Sequence, residues 1–225
     1  MTQRMKKVAL FDFDRTFYKY DTFSLLQKHV KEDPTFGDQY AQFMNPTILP
    51  FAQYKLGLMK GERVRAIAMQ NFLKALDGGT EEEVREFFST IRETIEKDVH
   101  PKLEKQLMKH KREGFHTVLV SGAYVPFLEE VVKRYPFDTI IGTNIPFKNG
   151  TVDSSIPLAH LQADRKVDAV LQTFRHESID WENSFAYSDR YSDLPMLSLV
   201  GHPVAVNAER SLKQYAKKNR WKRMK

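Results

Sequence analysis

The 225 residues of this chain, 41% of them apolar, can bury a full core, either as one large domain or as a core with a smaller second domain. No cysteine is present, which excludes disulfides, thiolate catalysis and Cys-ligated zinc, and no apolar run approaches the roughly 18 residues that a membrane span needs. The net charge of +6 does not indicate nucleic-acid binding by the whole chain, because residues 210–225 alone hold eight Lys or Arg and no acid.

The first predicted element is a strand at residues 8–11, an unbroken run of four apolar residues typical of a strand buried on both faces. Asp12, Asp14 and Thr16 follow it directly. Because side chains two residues apart in an extended chain share a face, the two carboxylates would point the same way. Open α/β sheets bind ligands at the carboxyl ends of strands, so this segment is a candidate site. The alternative is an ordinary strand-to-loop turn, in which Asp and Thr are common.

The segment 17–99 has helical periodicity and no strand pattern. One helix is predicted by a capping box at Thr80 and Glu83 and by the apolar stripe behind it, Val84, Phe87, Phe88, Ile91 and Ile95. A second stripe, stopped by two glycines, is formed by Val64, Ile67, Ala68 and Leu76. Three prolines predict that the earlier part is broken into shorter helices, at Pro34, Pro46 and Pro50. We therefore predict a helical domain at 17–99, inserted into a core domain formed by 1–16 and 100–225.

Beyond residue 100, predicted helices and strands alternate. Apolar runs indicate strands at 117–120, 139–141, 184–187 and 203–206, and helical patterns cover 102–113, 125–135, 165–174 and 194–199. Asn149-Gly150 predicts a two-residue hairpin turn. This alternation predicts an α/β fold, with a Rossmann-like, doubly wound parallel sheet as its core.

Polar residues follow the predicted strands where the strands end. The second strand is expected to end at Ser121-Gly122, and the strand at 184–187 is followed by Asp189, with Asp193 four residues further on. Lys166 begins a helix between them. Because the carboxyl ends of parallel strands share one edge of the sheet, these residues are expected to meet Asp12 and Asp14 there.

This combination of residue types suits phosphate chemistry. Carboxylates from two strands form a hard-oxygen site for Mg²⁺, and a serine hydroxyl with backbone N–H groups can hold phosphate oxygens. Asp12 is the candidate nucleophile, since carboxylate attack on phosphorus gives an aspartyl phosphate. Two carboxylates about 4 Å from a phosphate dianion would repel it by on the order of 16 kcal/mol at an effective dielectric constant near 20, so a divalent cation is expected beside Lys166.

Four sequence motifs, taken together, resemble those of the haloacid dehalogenase superfamily. They are DFDRT at 12–16, VLVSG at 118–122, RKVDAV at 165–170 and YSDRYSDLPML at 187–197. Their order matches the family pattern and they span nearly the whole chain, which makes the resemblance specific. The chain looks most like the branch that contains phosphoserine phosphatase.

In the first motif, the resemblance implies that Asp12 is both the nucleophile and a Mg²⁺ ligand. Asp14 is expected to protonate the leaving oxygen, then to activate the hydrolytic water, and to ligate Mg²⁺ through its backbone carbonyl. Thr16 is expected to steady the loop and the phosphate site. An acid at position 14 also favours phosphate substrates, because the dehalogenases of the family lack it.

In the other motifs, the resemblance implies that the Ser121 hydroxyl and the Gly122 N–H bind phosphate and that Lys166 neutralises it. Asp189 is expected to ligate Mg²⁺, with Asp193 supporting that ligand. Asp193 could instead, or in addition, be the N-cap of the helix that follows it.

The insertion at 17–99 resembles the helical cap of this family, which closes over the site and excludes water. In phosphoserine phosphatase an acidic residue shortly after the first motif reads the amino group of the substrate, and Asp21 occupies the matching place. The sequence thus predicts Mg²⁺-dependent hydrolysis of a small phosphorylated metabolite. O-Phosphoserine is the first substrate to consider, and sugar, methionine-salvage and nucleotide phosphates are the alternatives.

The basic tail at 210–225 is interpreted as a solvated helix end. Its aromatic residues, Tyr215 and Trp221, do not form a stacking platform, so a nucleic-acid partner is not favoured. The alternative function is a non-catalytic binding module that keeps the fold and uses this tail. His116, His160 and His202 show no metal-ligand spacing and are predicted to be ordinary loop or strand residues.

The start of the chain predicts a cytoplasmic protein with no membrane partner. The apolar stretch after Lys6 and Lys7 ends at Asp12, which is too early for a signal peptide. No residue pattern specifies an oligomeric state.

Overall fold

A parallel sheet lies at the centre of the computed structural model, which describes residues 5–225. Residues 1–4 of the predicted core domain lie outside this range. The strands are β1 (Val8–Phe11), β2 (His116–Tyr124), β3 (Thr139–Thr143), β4 (Phe147–Lys148), β5 (Thr151–Val152), β6 (Phe185–Ser188), β7 (His202–Val206) and β8 (Lys222–Met224). Six of these described strands pair in parallel in the order β3-β2-β1-β6-β7-β8, and β4 pairs with β5 in a separate hairpin. The predicted α/β fold with a parallel sheet is confirmed.

Ten α-helices lie within the described range. They are α1 (Thr22–Glu32), α2 (Tyr40–Lys55), α3 (Gly61–Phe72), α4 (Glu81–Thr90), α5 (Arg92–Lys97), α6 (Pro101–Arg112), α7 (Val125–Val131), α8 (Asp164–Thr173), α9 (Leu194–Ser198) and α10 (Arg210–Lys218). Over residues 5–225, none of them combines the length and the apolar character needed to cross a membrane. Residues 22–97, all described, contain helices and turns but no strand. The division of the chain into a core domain and an inserted helical domain stays a prediction.

Strand β1 has helices packed against both faces of the sheet. Val8 and Leu10 belong to one hydrophobic cluster, and Ala9 and Phe11 belong to another on the opposite face, as the two-residue period of a strand requires. The cluster around Phe11 continues into the helical region, where Phe72 of α3 stacks on Tyr124 at a centroid distance of 5.9 Å. Aromatic packing therefore joins the helical region to the sheet.

The prediction that Pro46 and Pro50 break the helical region into shorter pieces is wrong, because both lie inside α2. A proline cannot donate to the carbonyl four residues before it, so these two leave the carbonyls of Gln42 and Pro46 without a helical partner. Both of those residues are exposed, and solvent can satisfy their carbonyl groups. Burial of Phe43 and Thr47 on the other side of α2 stabilises the helix through tertiary contacts.

The capping box at Thr80 is confirmed. Thr80 Oγ1 accepts the Glu83 backbone N–H at 3.2 Å, and the Glu83 carboxylate accepts the Thr80 backbone N–H at 2.8 Å. The single helix predicted behind it is instead two helices, because α4 ends at Thr90 and α5 begins at Arg92. The apolar stripe continues across this break, which is why the sequence pattern does not reveal it.

The basic tail is part of the sheet rather than a free helix end. Leu212 and Ala216 of α10 are buried, and Arg220 turns the chain with a positive φ of 56°. Residues 222–224 then pair with β7 as the edge strand β8. This strand was not predicted, because a short edge strand with exposed Lys and Arg lacks the apolar signal of a buried strand.

Candidate active site

The strand register brings the sequence motifs to one edge of the sheet. Phe11, the last residue of β1, pairs with Leu119 of β2 on one side and with Tyr187 of β6 on the other. The Asp12 backbone N–H continues this pattern by donating to the Tyr187 carbonyl at 3.0 Å. The motif residues that follow these positions in all three strands therefore lie at the same carboxyl edge.

Lys166 joins two carboxylates in the buried centre of this edge. Its Nζ lies 2.7 Å from Asp12 Oδ1 and 3.0 Å from Asp193 Oδ2, and all three residues are buried. Burial alone would lower the pKa of Lys166, but the charges of Asp12 and Asp193 raise it above its ordinary value. The ammonium thus stays charged and holds the two carboxylates in place.

The side chain of Asp193 faces the site rather than capping a helix. Asp193 occupies the position before α9, yet its carboxylate makes no capping hydrogen bond. It accepts from Lys166 and from the Ser188 hydroxyl, the latter at 2.6 Å. The N-cap interpretation of this side chain is therefore wrong.

Asp12 and Asp189 lie close enough for one hydroxyl to reach both. Thr16 Oγ1 is 3.0 Å from Asp12 Oδ2 and 3.5 Å from Asp189 Oδ1. Burial, together with the charges of Asp12 and Asp193, raises the pKa of Asp189 to about 8. Burial also raises the pKa of Asp12, which the Lys166 ammonium opposes. Two buried carboxylates that repel each other in this way form an arrangement that a bound cation would stabilise.

The oxygen donors of this cluster fit a hard cation such as Mg²⁺. Within residues 5–225, no group of three or more His, Cys, Asp or Glu side chains is arranged to hold a metal. An ion between Asp12 and Asp189 would therefore draw on these two carboxylates and on water. That is a donor set typical of Mg²⁺, which keeps several waters and uses one or two carboxylates.

Asp14 lies in the turn that leaves β1. Arg15 adopts a left-handed φ of 57°, and the Thr22 backbone N–H donates to Asp14 Oδ1 at 3.0 Å. Burial, together with the charges of Asp21 and Asp12, raises the pKa of Asp14 to about 7. A carboxyl group with this pKa can both donate and accept a proton near neutral pH.

Ser121 and Gly122 lie within β2 rather than at its end. β2 continues to Tyr124, but its pairing with β3 shifts, so that Val120 faces Ile141 and Tyr124 faces Thr143. β1 provides no partner beyond Leu119, which leaves this part of β2 open towards the edge. The Ser121 hydroxyl accepts the Ala123 backbone N–H at 3.1 Å. Ser121 and Gly122 thus share the edge with the charged cluster but make no side-chain hydrogen bond to it.

His160 packs against Gly122, a contact that the sequence analysis did not predict. A Cβ atom on Gly122 would lie 2.9 Å from the Leu161 carbonyl oxygen and 3.0 Å from His160 Nε2, so this close approach requires glycine. His160 is buried, and among the described residues neither ring nitrogen has a hydrogen-bond partner. Burial lowers its pKa to about 4, so the ring is neutral. A histidine in a loop gives no periodic signal, so the sequence could not assign it to the site.

Asp21 lies at the outer side of the cluster and binds two arginines. Its Oδ2 is 3.4 Å from a guanidinium nitrogen of Arg65 and 3.3 Å from one of Arg190. Arg190 Nε is also 3.8 Å from Asp189 Oδ2. No sequence pattern assigns Arg190 to the site, because only the tertiary structure places it beside Asp21.

The sequence is similar to known proteins over most of its length. A family profile described as haloacid dehalogenase-like hydrolase matches residues 9–198. An inhibition of morphological differentiation protein from Streptomyces azureus is 26% identical over 162 residues, which cover 71% of this chain and 57% of that protein. A probable phosphatase from Mycobacterium tuberculosis is 23% identical over 222 residues, 97% of this chain and 75% of that protein. A histidinol-phosphatase from Neisseria meningitidis serogroup C is also 23% identical over 222 residues, 96% of this chain and 97% of that protein.

The fold is similar to solved structures. A protein with unknown function from Bordetella pertussis Tohama I has a TM-score of 0.81 and 18% sequence identity, with 98% of this chain and 99% of that chain covered. A phospho-aspartyl intermediate analogue of phosphoserine phosphatase has a TM-score of 0.61 and 17% identity, with 98% and 93% covered. These matches share the α/β fold of the present chain.

Proposed function

The chain belongs to the haloacid dehalogenase-like hydrolase family, and we propose that it hydrolyses a small phosphomonoester in the presence of Mg²⁺. The observation that carries this proposal is the buried cluster in which Lys166 contacts Asp12 at 2.7 Å while Asp12 and Asp189 share the Thr16 hydroxyl. Acidic oxygens for a cation, an ammonium for a phosphate and a carboxylate nucleophile thus lie within one buried cluster.

In the proposed reaction, an Asp12 carboxylate oxygen attacks phosphorus and the bond from phosphorus to the leaving oxygen breaks. Asp14 gives its proton to that oxygen, which is consistent with its pKa of about 7. A water then attacks the aspartyl phosphate, Asp14 takes a proton from this water, and the Asp12 carboxylate is released with inorganic phosphate. The proton lost in the first step is thereby restored in the second.

Other residues of the cluster are proposed to hold the metal ion and the phosphate. Mg²⁺ would be held by the carboxylates of Asp12 and Asp189 and the backbone carbonyl of Asp14, and would neutralise phosphate charge. Lys166 would pair with a phosphate oxygen, and Ser121 with the Gly122 N–H would bind the others.

Around these reacting groups, Thr16 and Asp193 would position the carboxylates and the ammonium that they contact. The helical region at 17–99 would act as the cap that excludes water.

The substrate is proposed from the names of similar proteins and from the sequence motifs. Structural similarity to phosphoserine phosphatase and sequence similarity to a histidinol-phosphatase both support a small phosphorylated metabolite. O-Phosphoserine is the first candidate from the motifs, and sugar, methionine-salvage and nucleotide phosphates are the alternatives. We also propose a cytoplasmic location, supported by the absence of cysteine.

Release of inorganic phosphate from p-nitrophenyl phosphate tests the proposed function. We expect activity with Mg²⁺, loss of activity after chelation, and a fall in kcat of at least about 10³-fold in Asp12→Asn, because the amide cannot act as the nucleophile. Asp168→Asn makes the same chemical change on an exposed position of α8 and should retain activity. Full activity in Asp12→Asn, or in the chelated wild-type protein, would refute the mechanism.

A further inference from the structure

Both carboxylate oxygens of Asp21 are engaged by groups of the protein itself. Oδ1 accepts the Phe23 backbone N–H at 3.1 Å and so caps α1. Oδ2 lies 3.4 Å from Arg65 of α3 and 3.3 Å from Arg190 in the loop after β6. A further cation that approached Asp21 would have to compete with these two guanidinium groups for Oδ2.

This arrangement lies beside the residues that are proposed to act on the leaving oxygen and to hold the metal ion. Asp14, the proposed proton donor to the leaving oxygen, accepts from the backbone of Thr22, the residue next to Asp21. On the other side, Arg190 lies 3.8 Å from Asp189, a proposed metal ligand. The cluster of Asp21, Arg65 and Arg190 therefore borders the reaction centre on the side of Asp14.

The charge of this cluster favours an anion. One carboxylate faces two guanidinium groups, neither of which can lose its proton at physiological pH, so these three side chains carry a net charge of +1. The negative charge of Asp189, 3.8 Å from Arg190, would be taken up by the proposed metal ion. The Arg65 side chain is 38% exposed and that of Arg190 is 18% exposed, so both retain N–H groups that a ligand can reach. A carboxylate or a second phosphate could accept these N–H groups in a bidentate manner. An ammonium would meet like charges beside an acid that is already paired.

We propose that the Arg190 guanidinium binds the Asp21 carboxylate in the place that a substrate ammonium would take. The site therefore selects phosphomonoesters whose leaving group carries an anion and no amine. This inference rests on the proposed hydrolase function and refines its substrate class. It differs from the prediction made from the motifs, in which Asp21 reads an amino group. The difference arises because the sequence motif contains Asp21 alone, whereas the fold places the charged Arg190 beside it.

Two substrates of nearly identical shape test this inference. The L enantiomer of 3-phosphoglycerate, which is used here, has a hydroxyl where O-phospho-L-serine has an ammonium, and both carry the same phosphate and carboxylate. We expect the wild-type protein to have a kcat/KM at least about tenfold higher for 3-phosphoglycerate, since like-charge contacts lower the affinity for the ammonium. p-Nitrophenyl phosphate, which has neither group, serves as the reference substrate.

Variants of Arg190 test whether this side chain sets the preference. Arg190→Met removes the charge and keeps the length, and we expect it to reduce the ratio of the two kcat/KM values by at least about tenfold. Arg190→Lys retains a charge and should keep the preference for 3-phosphoglycerate. Arg210→Met, on the exposed surface of α10, is the matched control and should leave the ratio unchanged. If Arg190→Met does not fold, the preference of the wild-type protein and the Arg190→Lys variant still decides the question.

A wild-type protein that prefers O-phosphoserine would overturn the inference. So would an Arg190→Met variant that loses activity equally on both substrates, because Arg190 would then only support the metal ligands. Failure of the wild-type protein to hydrolyse p-nitrophenyl phosphate is a separate outcome, since it would refute the hydrolase function and the inference with it.

Discussion

The charged cluster at the strand ends and the helical region at 22–97 bury different kinds of side chain, and the free energy of burial differs between them. At the strand ends, Asp12, Lys166, Asp189 and Asp193 are nearly inaccessible although each can carry a charge. In the helical region, the largest buried side chains are aromatic, as in the contact of Phe43 with Phe72 at a centroid distance of 5.3 Å. Burial of charge costs free energy unless partners compensate for it, whereas burial of aromatic surface stabilises the fold directly.

The difference indicates where substitutions will change stability and where they will change chemistry. Aromatic residues in the helical region contribute mainly to the free energy of unfolding. Charged residues at the strand ends add little to stability, since desolvation offsets much of their mutual attraction, and we propose that their role is to bind a cation and a phosphate. Three substitutions test this separation.

The largest expected change is in the stability of the helical region. Phe43 is fully buried among Phe23, Tyr40 and Phe72, so Phe43→Ala should lower the free energy of unfolding by about 3–5 kcal/mol. Urea unfolding measures this loss. Phe51→Ala, at a residue that is 51% exposed on the same helix, should change stability by less than about 0.5 kcal/mol. Equal effects of the two variants would contradict the packing described above.

A comparable change, but in activity, is expected at the strand ends. Lys166→Met removes the ammonium next to Asp12 and should lower kcat/KM by about 10²–10³-fold, or about 3–4 kcal/mol, because phosphate charge would lose its neutralising partner. Phosphate release by the folded protein at saturating Mg²⁺ measures this. Lys217→Met, on exposed α10, should be fully active. A Lys166→Met variant with wild-type kcat/KM would remove Lys166 from the proposed site.

The smallest expected change concerns a buried titratable residue outside the strand-end cluster. Burial lowers the pKa of His110 to about 4, and His110 Nε2 lies 2.8 Å from the Tyr187 hydroxyl. In the unfolded chain the His110 ring takes up a proton near pH 6.5, whereas in the folded protein it does so only near pH 4. The stability that comes from a neutral His110 is therefore present above pH 6.5 and is lost as the pH falls towards 4. Protonation of His110 should therefore lower the free energy of unfolding by about 2 kcal/mol between pH 7 and pH 5.

His110→Gln should reduce this pH dependence, because glutamine does not titrate. Urea unfolding at both pH values measures the difference. His176→Gln, on the exposed surface after α8, is the control and should behave as the wild-type protein does. An unchanged pH dependence in His110→Gln would contradict the burial of a neutral His110.

Much of the core could be predicted from sequence because its signals are local. Short apolar runs predicted β1, β2, β3, β6 and β7, since strands of a parallel sheet are buried on both faces. Asn149-Gly150 predicted the hairpin between β4 and β5, where both residues adopt the positive φ angles of 54° and 86° that such a turn requires. The polar residues that follow the strands predicted which side chains would meet at the sheet edge.

Only the tertiary structure decided the features that depend on distant segments. β8 forms because β7 offers an open edge, and α2 continues through two prolines because its other side is buried. The pairing of Asp12 with Lys166 spans 154 residues of sequence, and Asp21 meets Arg190 across 169. Local patterns specify the type of an element and the residues at its ends. The charge around each residue is set by packing between elements, so the environment of Asp21 could be known only from the fold.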